Sequence, residues 1–397
     1  MNQIDANREL TNLLDGLDPY SIDLTLDRVE LFLKKLGNPQ ADYPVVLVGG
    51  TNGKGSVCQM LTNAFIDAGY TTATYTSPHL ILLNERIRIN NKPVDFEILL
   101  QQAKFLQSIN FEGLTYFEFL TALAFSIFKE FQVDVAICEV GMGGQFDATN
   151  TTDPILSVLT SISLDHTEHL GRSLKEIALT KAGIIKHLGV VAPNPPVVIE
   201  TVKNAVDAPV FLTQESHLEQ ARHIRCITNP SIDNIAVTLL AIEQLISLGF
   251  NLKPESINNS YWPGRFEVIK DQKRTTVLDG AHNPKAVAAL INNLKRSGIK
   301  PSLLVFASLN TKPWRQHINA LEKIVDEIHL PRLKSRLAVA PETIAEHLKA
   351  RKTTRPITIH RDTNSCLESI LQENKNILIA GSLYLVGEAK ASSLNYV

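Results

Sequence analysis

The stretch Val45-Val46-Leu47-Val48-Gly49-Gly50-Thr51-Asn52-Gly53-Lys54-Gly55-Ser56 decides the fold of this chain. Its first four residues are apolar and mostly β-branched, which predicts a buried strand of a parallel sheet. Four glycines and a lysine follow within seven residues. An apolar face then recurs at helical spacing in Val57, Met60, Leu61, Ala64, Phe65 and Ala68. The stretch therefore predicts a strand, a glycine-rich turn and the N-terminus of a helix.

Such a turn is suited to binding phosphate. Glycines let backbone N–H groups close around an anion, the helix dipole favours negative charge, and Lys54 adds a point charge. The usual GxxxxGK[ST] pattern is not met, because it needs Gly in place of Val48 and Ser or Thr in place of Gly55. An ordinary tight turn is the alternative interpretation, although a lysine between two glycines has no evident packing role.

Length, charge and cysteine content narrow the class of protein. A chain of 397 residues is long enough for two domains. With a net charge of −2 and 20% charged residues, the composition does not indicate the basic surface that nucleic-acid binding requires. Because Cys58, Cys138, Cys226 and Cys366 form no CxxC pair, we expect neither disulfides nor a zinc site. With no signal peptide or membrane span evident, we expect a cytoplasmic monomer without nucleic-acid or membrane partners.

Strands and helices alternate along the rest of the chain. Strands are predicted at residues 71–75, 133–138, 155–161, 190–192 and 209–212, and again near 276–278, 303–306, 327–330, 357–360 and 377–380. One helix begins at Ser173, carries Lys181 and runs through Lys186. Residues 261–265 break the periodicity and are interpreted as a hinge. This βαβ alternation predicts an α/β fold: a P-loop domain with a parallel sheet in residues 1–262 and a smaller, doubly wound, Rossmann-like domain in residues 263–397.

Polar residues follow the predicted strands at one edge of the first sheet. They are Lys54 with Ser56, Ser77, Glu139, and Asp165 with His166. The carboxyl ends of parallel strands lie together, so these groups are expected to meet around a ligand. Hydroxyl and carboxylate ligands beside phosphates suit Mg²⁺.

Each of these residues also has a structural interpretation. Taken alone, Glu139 fits a helix-capping carboxylate, and His166 fits a buried, hydrogen-bonded histidine. Arg86 and Arg88 fit a solvated strand face, and Lys181 fits the surface of its helix. Their occurrence together at the ends of strands that share a sheet favours function.

The phosphate loop and nine further motifs, in order from Gly50 to Leu385, resemble those of the folylpolyglutamate synthase and dihydrofolate synthase family within the Mur ligase superfamily. The two most specific are Lys181-Ala182-Gly183-Ile184-Ile185-Lys186 and Asp279-Gly280-Ala281-His282-Asn283-Pro284. The others are Thr76-Ser77-Pro78-His79, Asn84-Glu85-Arg86-Ile87, Glu139-Val140-Gly141-Met142-Gly143-Gly144, Asp147-Ala148-Thr149-Asn150, Leu164-Asp165-His166, Trp262-Pro263-Gly264-Arg265 and Gly381-Ser382-Leu383-Tyr384-Leu385.

The resemblance implies an enzyme that uses ATP and Mg²⁺ to join L-glutamate to dihydropteroate, to folate or to both, through an acyl phosphate. It implies ATP contacts at Thr51, Asn52, Gly53, Lys54, Gly55, Ser56, Asn234, Arg265, Asp279 and His282. It implies metal ligands at Ser77, Glu139 and His166, and substrate contacts at Asp147, Thr149 and Arg86. The catalytic residues it implies are Lys54, His166 and Lys181, of which Lys181 is expected to be carbamylated.

The chain departs from the family pattern in two places. Thr311-Lys312-Pro313 stands where relatives carry Asp-Lys-Asp, and residues 223–233 are shorter than the hairpin of relatives. Two other functions stay open at this point. One is a Mur-type ligase acting on a cell-wall precursor, although only some forty residues precede the phosphate loop. The other is a nucleotide-binding protein without ligase turnover.

Overall fold

The computed structural model describes residues 3–17, 25–109, 113–228 and 230–392. The expectation about a signal peptide includes Met1 and Asn2, which lie outside these ranges. Asn229, in the shortened segment, also lies outside them. Two compact units are present: unit 1 takes the described residues of Met1–Arg225 and Ser231–Ser260, and unit 2 those of Cys226–Pro230 and Tyr261–Val397. The predicted boundary after residue 262 stays a prediction. No helix in the described ranges is long and apolar enough to cross a membrane.

Unit 1 contains an eight-stranded sheet in the order β4-β3-β2-β5-β1-β6-β7-β8. The strands are β1 (Val45–Gly49), β2 (Thr72–Tyr75), β3 (Ile87–Ile89), β4 (Lys92–Pro93), β5 (Val135–Glu139), β6 (Leu156–Leu159), β7 (Gly189–Val191) and β8 (Val210–Leu212). All residues of β1 are buried because β5 and β6 pair with it in parallel on its two sides. This explains its uninterrupted apolar sequence and confirms the α/β class.

Ten helices surround this sheet among the described residues. They are α1 (Gln3–Leu14), α2 (Asp27–Lys35), α3 (Lys54–Asp67), α4 (Phe96–Ser108), α5 (Tyr116–Glu130), α6 (Thr167–Leu170), α7 (Leu174–Ala182), α8 (Pro196–Ala205), α9 (Glu215–Ala221) and α10 (Ile232–Ser247). The core of unit 1 includes the apolar face predicted for α3, with Val57, Leu61, Ala64 and Phe65 fully buried. Helix α9 lies in a segment for which the sequence analysis predicted no helix.

The expectation of a parallel sheet is wrong at one edge of unit 1. Strand β3 runs antiparallel to β2, and β4 runs antiparallel to β3. Asn90 and Asn91 join β3 to β4 with φ values of +49° and +64°. Positive φ at both positions is typical of the two-residue hairpin turn, and asparagine tolerates it better than most residues.

The prediction that the helix carrying Lys181 runs through Lys186 is also wrong, because α7 ends at Ala182. Side chains from outside the helix bind the carbonyl groups that follow. Asn150 Nδ2 donates to Gly183 O at 3.2 Å, and Ser157 Oγ donates to Ile184 O at 2.6 Å. These bonds replace the next helical turn and hold the end of α7 against the loop before β6.

Unit 2 contains a six-stranded sheet in the order β13-β12-β11-β14-β10-β9. Its strands are β9 (Glu267–Lys270), β10 (Thr275–Asp279), β11 (Leu303–Phe306), β12 (Glu327–Pro331), β13 (Ile357–His360) and β14 (Ile377–Ala380). Its helices are α11 (Pro284–Ser297), α12 (Trp314–Leu321), α13 (Pro341–Ala350), α14 (Thr363–Ile370) and α15 (Leu383–Ser392). Five predicted strands are present in parallel pairing, and β9, which the sequence analysis missed, pairs antiparallel with β10.

A buried carboxylate organises the start of unit 2. Glu267 accepts hydrogen bonds from Tyr261 Oη at 2.6 Å and from Gly264 N at 2.8 Å, and it forms an ion pair with Lys390. Both charged side chains are almost fully buried. The segment interpreted as a hinge is thus fastened at two of its residues to β9.

We expect Lys390→Met to destabilise unit 2 by about 3–5 kcal/mol, because it leaves the charge of Glu267 buried without its partner. Arg332→Met is the control: it removes an ion pair to Glu342 that is half exposed, and it should cost only about 0.2–1 kcal/mol. Both tryptophans, Trp262 and Trp314, belong to unit 2, so urea unfolding followed by tryptophan fluorescence reports on this unit. Equal losses in the two variants would contradict the prediction.

Candidate active site

The predicted site residues of unit 1 follow four strands that are neighbours in the sheet, β2, β5, β1 and β6. Ser77 comes two residues after β2, Glu139 ends β5, and the phosphate loop follows β1. The parallel register pairs Val48 with Glu139 and Gly49 with Leu159, so these strands end at the same edge. The structure therefore brings together the groups that the sequence placed at strand ends.

At two glycine positions the phosphate loop approaches its neighbours too closely for any residue with a side chain. Gly50 has φ +133°, and a Cβ there would lie 1.9 Å from Thr160 Oγ1. Gly53 has φ +96°, and a Cβ there would lie 2.3 Å from the side-chain amide of Asn234. Gly53 is also the N-cap of α3 and offers that helix no side-chain cap. The backbone at the start of α3 is thus available for an anionic ligand.

Hydrogen bonds fasten the loop to the segment after β6. Thr51 N donates to Ser161 O at 2.8 Å. Thr51 Oγ1 accepts from Ser163 N at 3.1 Å and lies 3.2 Å from Ser163 O. Behind this segment, Asn194 accepts from Ile162 N at 2.7 Å and donates to Thr160 O at 3.2 Å. Sequence reasoning missed Asn194, and its place between two prolines gave no signal of this role.

Lys54 and Glu139 form the charged centre of the site. Lys54 Nζ lies 3.8 Å from Glu139 Oε1, and Ser77 N donates to Glu139 Oε2 at 3.2 Å. Glu139 is buried, and the Lys54 side chain is mostly buried. Ser77 and Glu139 are the residues whose side chains would hold a divalent cation, and the backbone N of Ser77 contacts the Glu139 carboxylate. One hydroxyl group and one carboxylate are ligands that fit Mg²⁺.

His166 is an exposed residue at the N-terminus of α6. Its φ is +49°, and its side chain is 42% exposed, which excludes the buried structural histidine of the alternative interpretation. Its Nε2 lies 3.9 Å from Asp165 Oδ2, and its backbone N donates to Asp165 Oδ1 at 3.0 Å. Asp165 therefore orients His166. The motif contains Asp165, but the sequence analysis did not assign it this role.

Lys181 is buried, with 4% of its surface exposed, so its interpretation as a surface lysine is wrong. Its Nζ donates to Gly50 O at 2.9 Å and to Gly143 O at 3.3 Å. Burial and the nearby charge of Lys54 lower the pKa of Lys181 to about 7, against the opposing effect of Asp165 and Asp147. Lys181 thus joins the phosphate loop to the glycine-rich loop after β5, and near neutral pH it has an appreciable unprotonated fraction.

Asp147 and Thr149 shape the glycine-rich loop from inside. Asp147 accepts from Met142 N at 2.8 Å, from Thr149 N at 3.0 Å and from Thr149 Oγ1 at 2.6 Å. Burial raises the pKa of Asp147, although these hydrogen bonds oppose the change. Both residues are buried, so their contacts in this structure hold the loop.

Arg86 and Arg88 lie at the antiparallel edge of the sheet. Arg86 Nε donates to His79 Nδ1 at 2.9 Å, and its guanidinium lies 5.8 Å from the centre of the Tyr116 ring. Burial and the charge of Arg86 lower the pKa of His79 to about 3. Arg88 is buried and donates to Gln59 Oε1 at 2.8 Å, so the solvated-face interpretation is wrong for it.

Glu85 has a structural role that sequence analysis did not assign. Its carboxylate accepts three backbone N–H groups, those of Leu80 at 2.7 Å, Ile81 at 3.0 Å and Leu82 at 2.8 Å. This fixes the loop that follows Ser77. The position of Glu85 beside Arg86 in the motif gave no sign of this structural role.

The three predicted ATP contacts of unit 2 lie around the end of β10. Asp279 accepts from Phe266 N and Ala281 N, each at 2.8 Å, and His282 Nδ1 is hydrogen-bonded to Gly280 O at 2.8 Å. Burial raises the pKa of Asp279, and the charge of Arg265 opposes this change. These residues form one polar group at a strand end of unit 2, as the motifs predict.

Two family models match this chain. Residues 48–205 match the Mur ligase middle domain, and residues 264–383 match the Mur ligase glutamate ligase domain. A curated relative, the dihydrofolate synthase/folylpolyglutamate synthase of Bacillus subtilis, is 31% identical, over 97% of this chain and 98% of the relative.

Two solved structures share the fold over nearly the whole chain. Escherichia coli FolC in complex with DHPP and ADP has a TM-score of 0.84 and 27% identity, covering 96% of each chain. A bifunctional folylpolyglutamate synthase/dihydrofolate synthase with Mn, AMPPNP and L-glutamate bound has a TM-score of 0.82 and 27% identity, covering 97% of this chain and 98% of that one.

The buried ammonium of Lys181 should make stability depend on pH. Between about pH 7 and the ordinary lysine value of 10.5, the unfolded chain binds a proton that the folded protein does not. The free energy of unfolding therefore gains up to about 1.4 kcal/mol per pH unit as pH rises, and the gain is lost as pH falls back toward 7. We expect the wild type to gain stability relative to Lys181→Met across this range.

The measurement is urea unfolding followed by circular dichroism in CO₂-free buffer, at several pH values from 7 to 10. Lys175→Met, at an exposed position of the same helix, is the matched control and should follow the wild type. A constant difference between wild type and Lys181→Met at every pH would contradict the prediction.

Proposed function

This chain belongs to the dihydrofolate synthase/folylpolyglutamate synthase family of Mur ligases and is an ATP-dependent glutamate ligase, and we propose that its acceptors are dihydropteroate and folates. The observation that carries the residue assignments is the meeting of Lys54, Glu139 and Lys181 at the ends of neighbouring strands. The relatives support the choice of acceptor, since one solved homologue holds DHPP with ADP and another holds L-glutamate with AMPPNP.

The chemistry requires activation of a carboxylate, which is a poor electrophile in water. A carboxylate oxygen of the acceptor attacks the γ-phosphorus of ATP, an acyl phosphate forms, and ADP leaves. The amine of glutamate then attacks the acyl carbon, the amide bond forms, and inorganic phosphate leaves with loss of a proton from the nitrogen. The protein contributes positioning and stabilisation of charge rather than covalent catalysis.

We assign the ATP phosphates to the phosphate loop. The N-terminal turn of α3 offers backbone N–H groups from Lys54, Gly55 and Ser56, while Thr51, Asn52 and Gly53 shape the approach. The ammonium of Lys54 stabilises the charge that develops on the transferred phosphoryl group. Asn234 lies against Gly53, which supports its assignment to the nucleotide. Arg265, Asp279 and His282 are assigned to ATP contacts from unit 2.

Ser77, Glu139 and His166 would hold Mg²⁺, and the imidazole of His166 would also accept Mn²⁺, the ion present in one homologue. A bound divalent ion supplies positive charge next to the phosphate oxygens. Glu139 keeps its carboxylate within reach of both Lys54 and the Ser77 segment. Asp147, Thr149 and Arg86 are assigned to the acceptor side, through the glycine-rich loop and the edge of the sheet.

Lys181 is assigned as a carbamylated lysine. Formation of a carbamate requires an unprotonated amine, and burial beside Lys54 lowers the pKa of Lys181 to about 7. The product is an anion, so an unfavourable pair of like charges becomes a favourable pair of opposite charges. The nitrogen adds to the carbon of CO₂ and releases one proton.

The functional test is ADP release by the purified protein. We expect turnover with dihydropteroate plus L-glutamate and with tetrahydrofolate plus L-glutamate, and none when glutamate is omitted. Turnover with only one acceptor would restrict the proposal to that acceptor. Absence of turnover with both would contradict it and would favour a nucleotide-binding protein or a ligase for another carboxylic acid.

Lys54→Ala should lower the rate of ligation about 10²–10³-fold, because one preorganised charge at the transferred phosphoryl group is lost. The exposed Lys175→Ala is the control and should keep the wild-type rate. Unchanged circular dichroism would show that Lys54→Ala is folded. A folded Lys54→Ala variant that retains half of the wild-type rate would refute the phosphate-loop assignment.

Lys181→Ala should lose most activity, and added acetate or formate should restore part of it by replacing the carbamate anion. Lys54→Ala provides the control, since short carboxylic acids cannot replace its positive charge. Intact-mass and ¹³CO₂ labelling measurements of the wild type should detect the carbamate. Full activity in Lys181→Ala, or an active wild type with no bound CO₂, would exclude the carbamate and leave the ligation chemistry itself in place.

A further inference from the structure

A cluster of metal-ligating side chains lies in unit 2, on strands that carry none of the ATP contacts assigned above. One nitrogen of His329, one nitrogen of His360 and the sulfur of Cys366 all lie within 4.8 Å of one another. His329 belongs to β12, His360 ends β13, and Cys366 lies in α14. The residues are far apart in sequence and form no zinc motif, which is why the cysteine spacing predicted no metal site.

The fold brings these three side chains to one face of the sheet. β12 and β13 are parallel, and His329 pairs with Thr358 in their register. His360 is two residues beyond Thr358, so its side chain points to the same face as that of His329. Helix α14 packs against both strands and presents Cys366 as a fully buried residue. His329 is buried, and His360 is half buried at the edge strand.

The separation of the two histidine nitrogens approaches that of a tetrahedral site, and the sulfur of Cys366 lies within 4.8 Å of both. His329 Nδ1 and His360 Nε2 are 3.0 Å apart. Zinc–nitrogen bonds of about 2.0–2.1 Å at a tetrahedral centre separate two nitrogen ligands by about 3.3 Å. Two imidazoles and a thiolate are ligands that zinc accepts readily, and they are unsuited to Mg²⁺ or Ca²⁺.

Glu327 occupies the position of an orienting carboxylate. His329 Nε2 is buried and has no hydrogen-bond partner in the described part of the chain. It lies 3.8 Å from Glu327 Oε2. A histidine that binds a metal through one nitrogen usually donates its other N–H to such a carboxylate. With Nε2 protonated and facing Glu327, the lone pair of Nδ1 faces His360 and the space between the rings.

The charges around the cluster are compatible with a bound cation. Burial lowers the pKa of His329 and of His360, and the neutral imidazole is the form that binds metal. Burial raises the pKa of Cys366 to about 12, so binding of a metal must release the thiol proton. Glu327 and Glu373 contribute negative charge nearby, and Lys375 pairs with both of them.

We propose that His329 Nδ1, His360 Nε2 and Cys366 Sγ bind one Zn²⁺ ion, that water completes the tetrahedron, and that Glu327 orients His329. The half-exposed side of His360 gives the ion and its water access from solvent. Because the ligands come from β12, β13 and α14, the ion joins the edge strand of unit 2 to the strand and helix beside it. These elements carry none of the ATP contacts assigned above, so the proposed site is separate from the assigned ATP contacts of unit 2.

Cobalt is the probe, since Co²⁺ bound by a thiolate in a tetrahedral site gives a charge-transfer band and intense visible absorption. The full chain is treated with a chelator, exchanged into metal-free buffer and titrated with Co²⁺ and then with Zn²⁺. We expect one equivalent of Co²⁺ to produce both signals and one equivalent of Zn²⁺ to remove them. A Co²⁺ ion bound at the phosphate loop would give no charge-transfer band from the Cys366 thiolate.

Variants assign the signal to the cluster. Cys366→Ser should abolish the thiolate band, His360→Gln should weaken Co²⁺ binding more than tenfold, and Glu327→Gln should weaken it about 10–100-fold. Cys226→Ser, a half-buried cysteine outside the cluster, is the matched control and should bind as the wild type does. Circular dichroism monitors folding, and His360→Gln decides the result if Cys366→Ser fails to fold.

Two results would overturn the proposal. One is a wild-type protein that shows no thiolate band with Co²⁺. The other is a band that persists unchanged in Cys366→Ser, or in His360→Gln if that variant is the one that folds.

Discussion

Close approach of the backbone after β1 to its neighbours is the constraint on which the rest of unit 1 depends. Gly50 lies against Thr160 at the end of β6, and Gly53 lies against Asn234 of α10. A side chain at either position would push the loop away from the strand ends. The carbonyl of Gly50 would then move away from Lys181, and Thr51 from Ser161. Packing therefore requires glycine at both positions, in addition to any requirement for binding phosphate.

This packing also sets the electrostatics of the site. The buried amine of Lys181 donates hydrogen bonds to two backbone carbonyls, and the positive charge of Lys54 acts on it. Glu139 is the carboxylate closest to Lys54 among the ion pairs of the described residues. Asp147 and Asp165 also act on these amines, so positive and negative groups lie close together in this site.

Much of this could be predicted from sequence because it depends on local patterns. Apolar runs ending in polar residues located β1, β5 and β6, and parallel strands necessarily bring their ends together. The features that were missed depend on tertiary contacts. The end of α7 follows from bonds made by Asn150 and Ser157, and neither lies in that helix. The burial of Arg88 likewise depends on Gln59, 29 residues away.

The antiparallel edges had a weaker local signal. Asn90 and Asn91 are a recognisable hairpin turn, but three-residue and two-residue strands are too short for periodicity to reveal. The role of Asn194 had no local signal, because any polar residue is compatible with a loop between prolines. Residue types at strand ends identified the candidate site, whereas the contacts that position those residues required the structure.

The path of the chain between the two units limits how such a protein can be rearranged. Cys226–Pro230 belongs to unit 2, although the residues on both sides of it belong to unit 1. Trp262 N donates to Thr228 Oγ1 at 3.0 Å within unit 2. A gene fragment that begins at Tyr261 would therefore encode unit 2 without Cys226–Pro230. The fragment that ends before Tyr261 would carry that segment without the rest of unit 2. Recombination that exchanges the carboxyl-terminal unit needs two separate segments to change together, so the unit is contiguous in space but not in the gene.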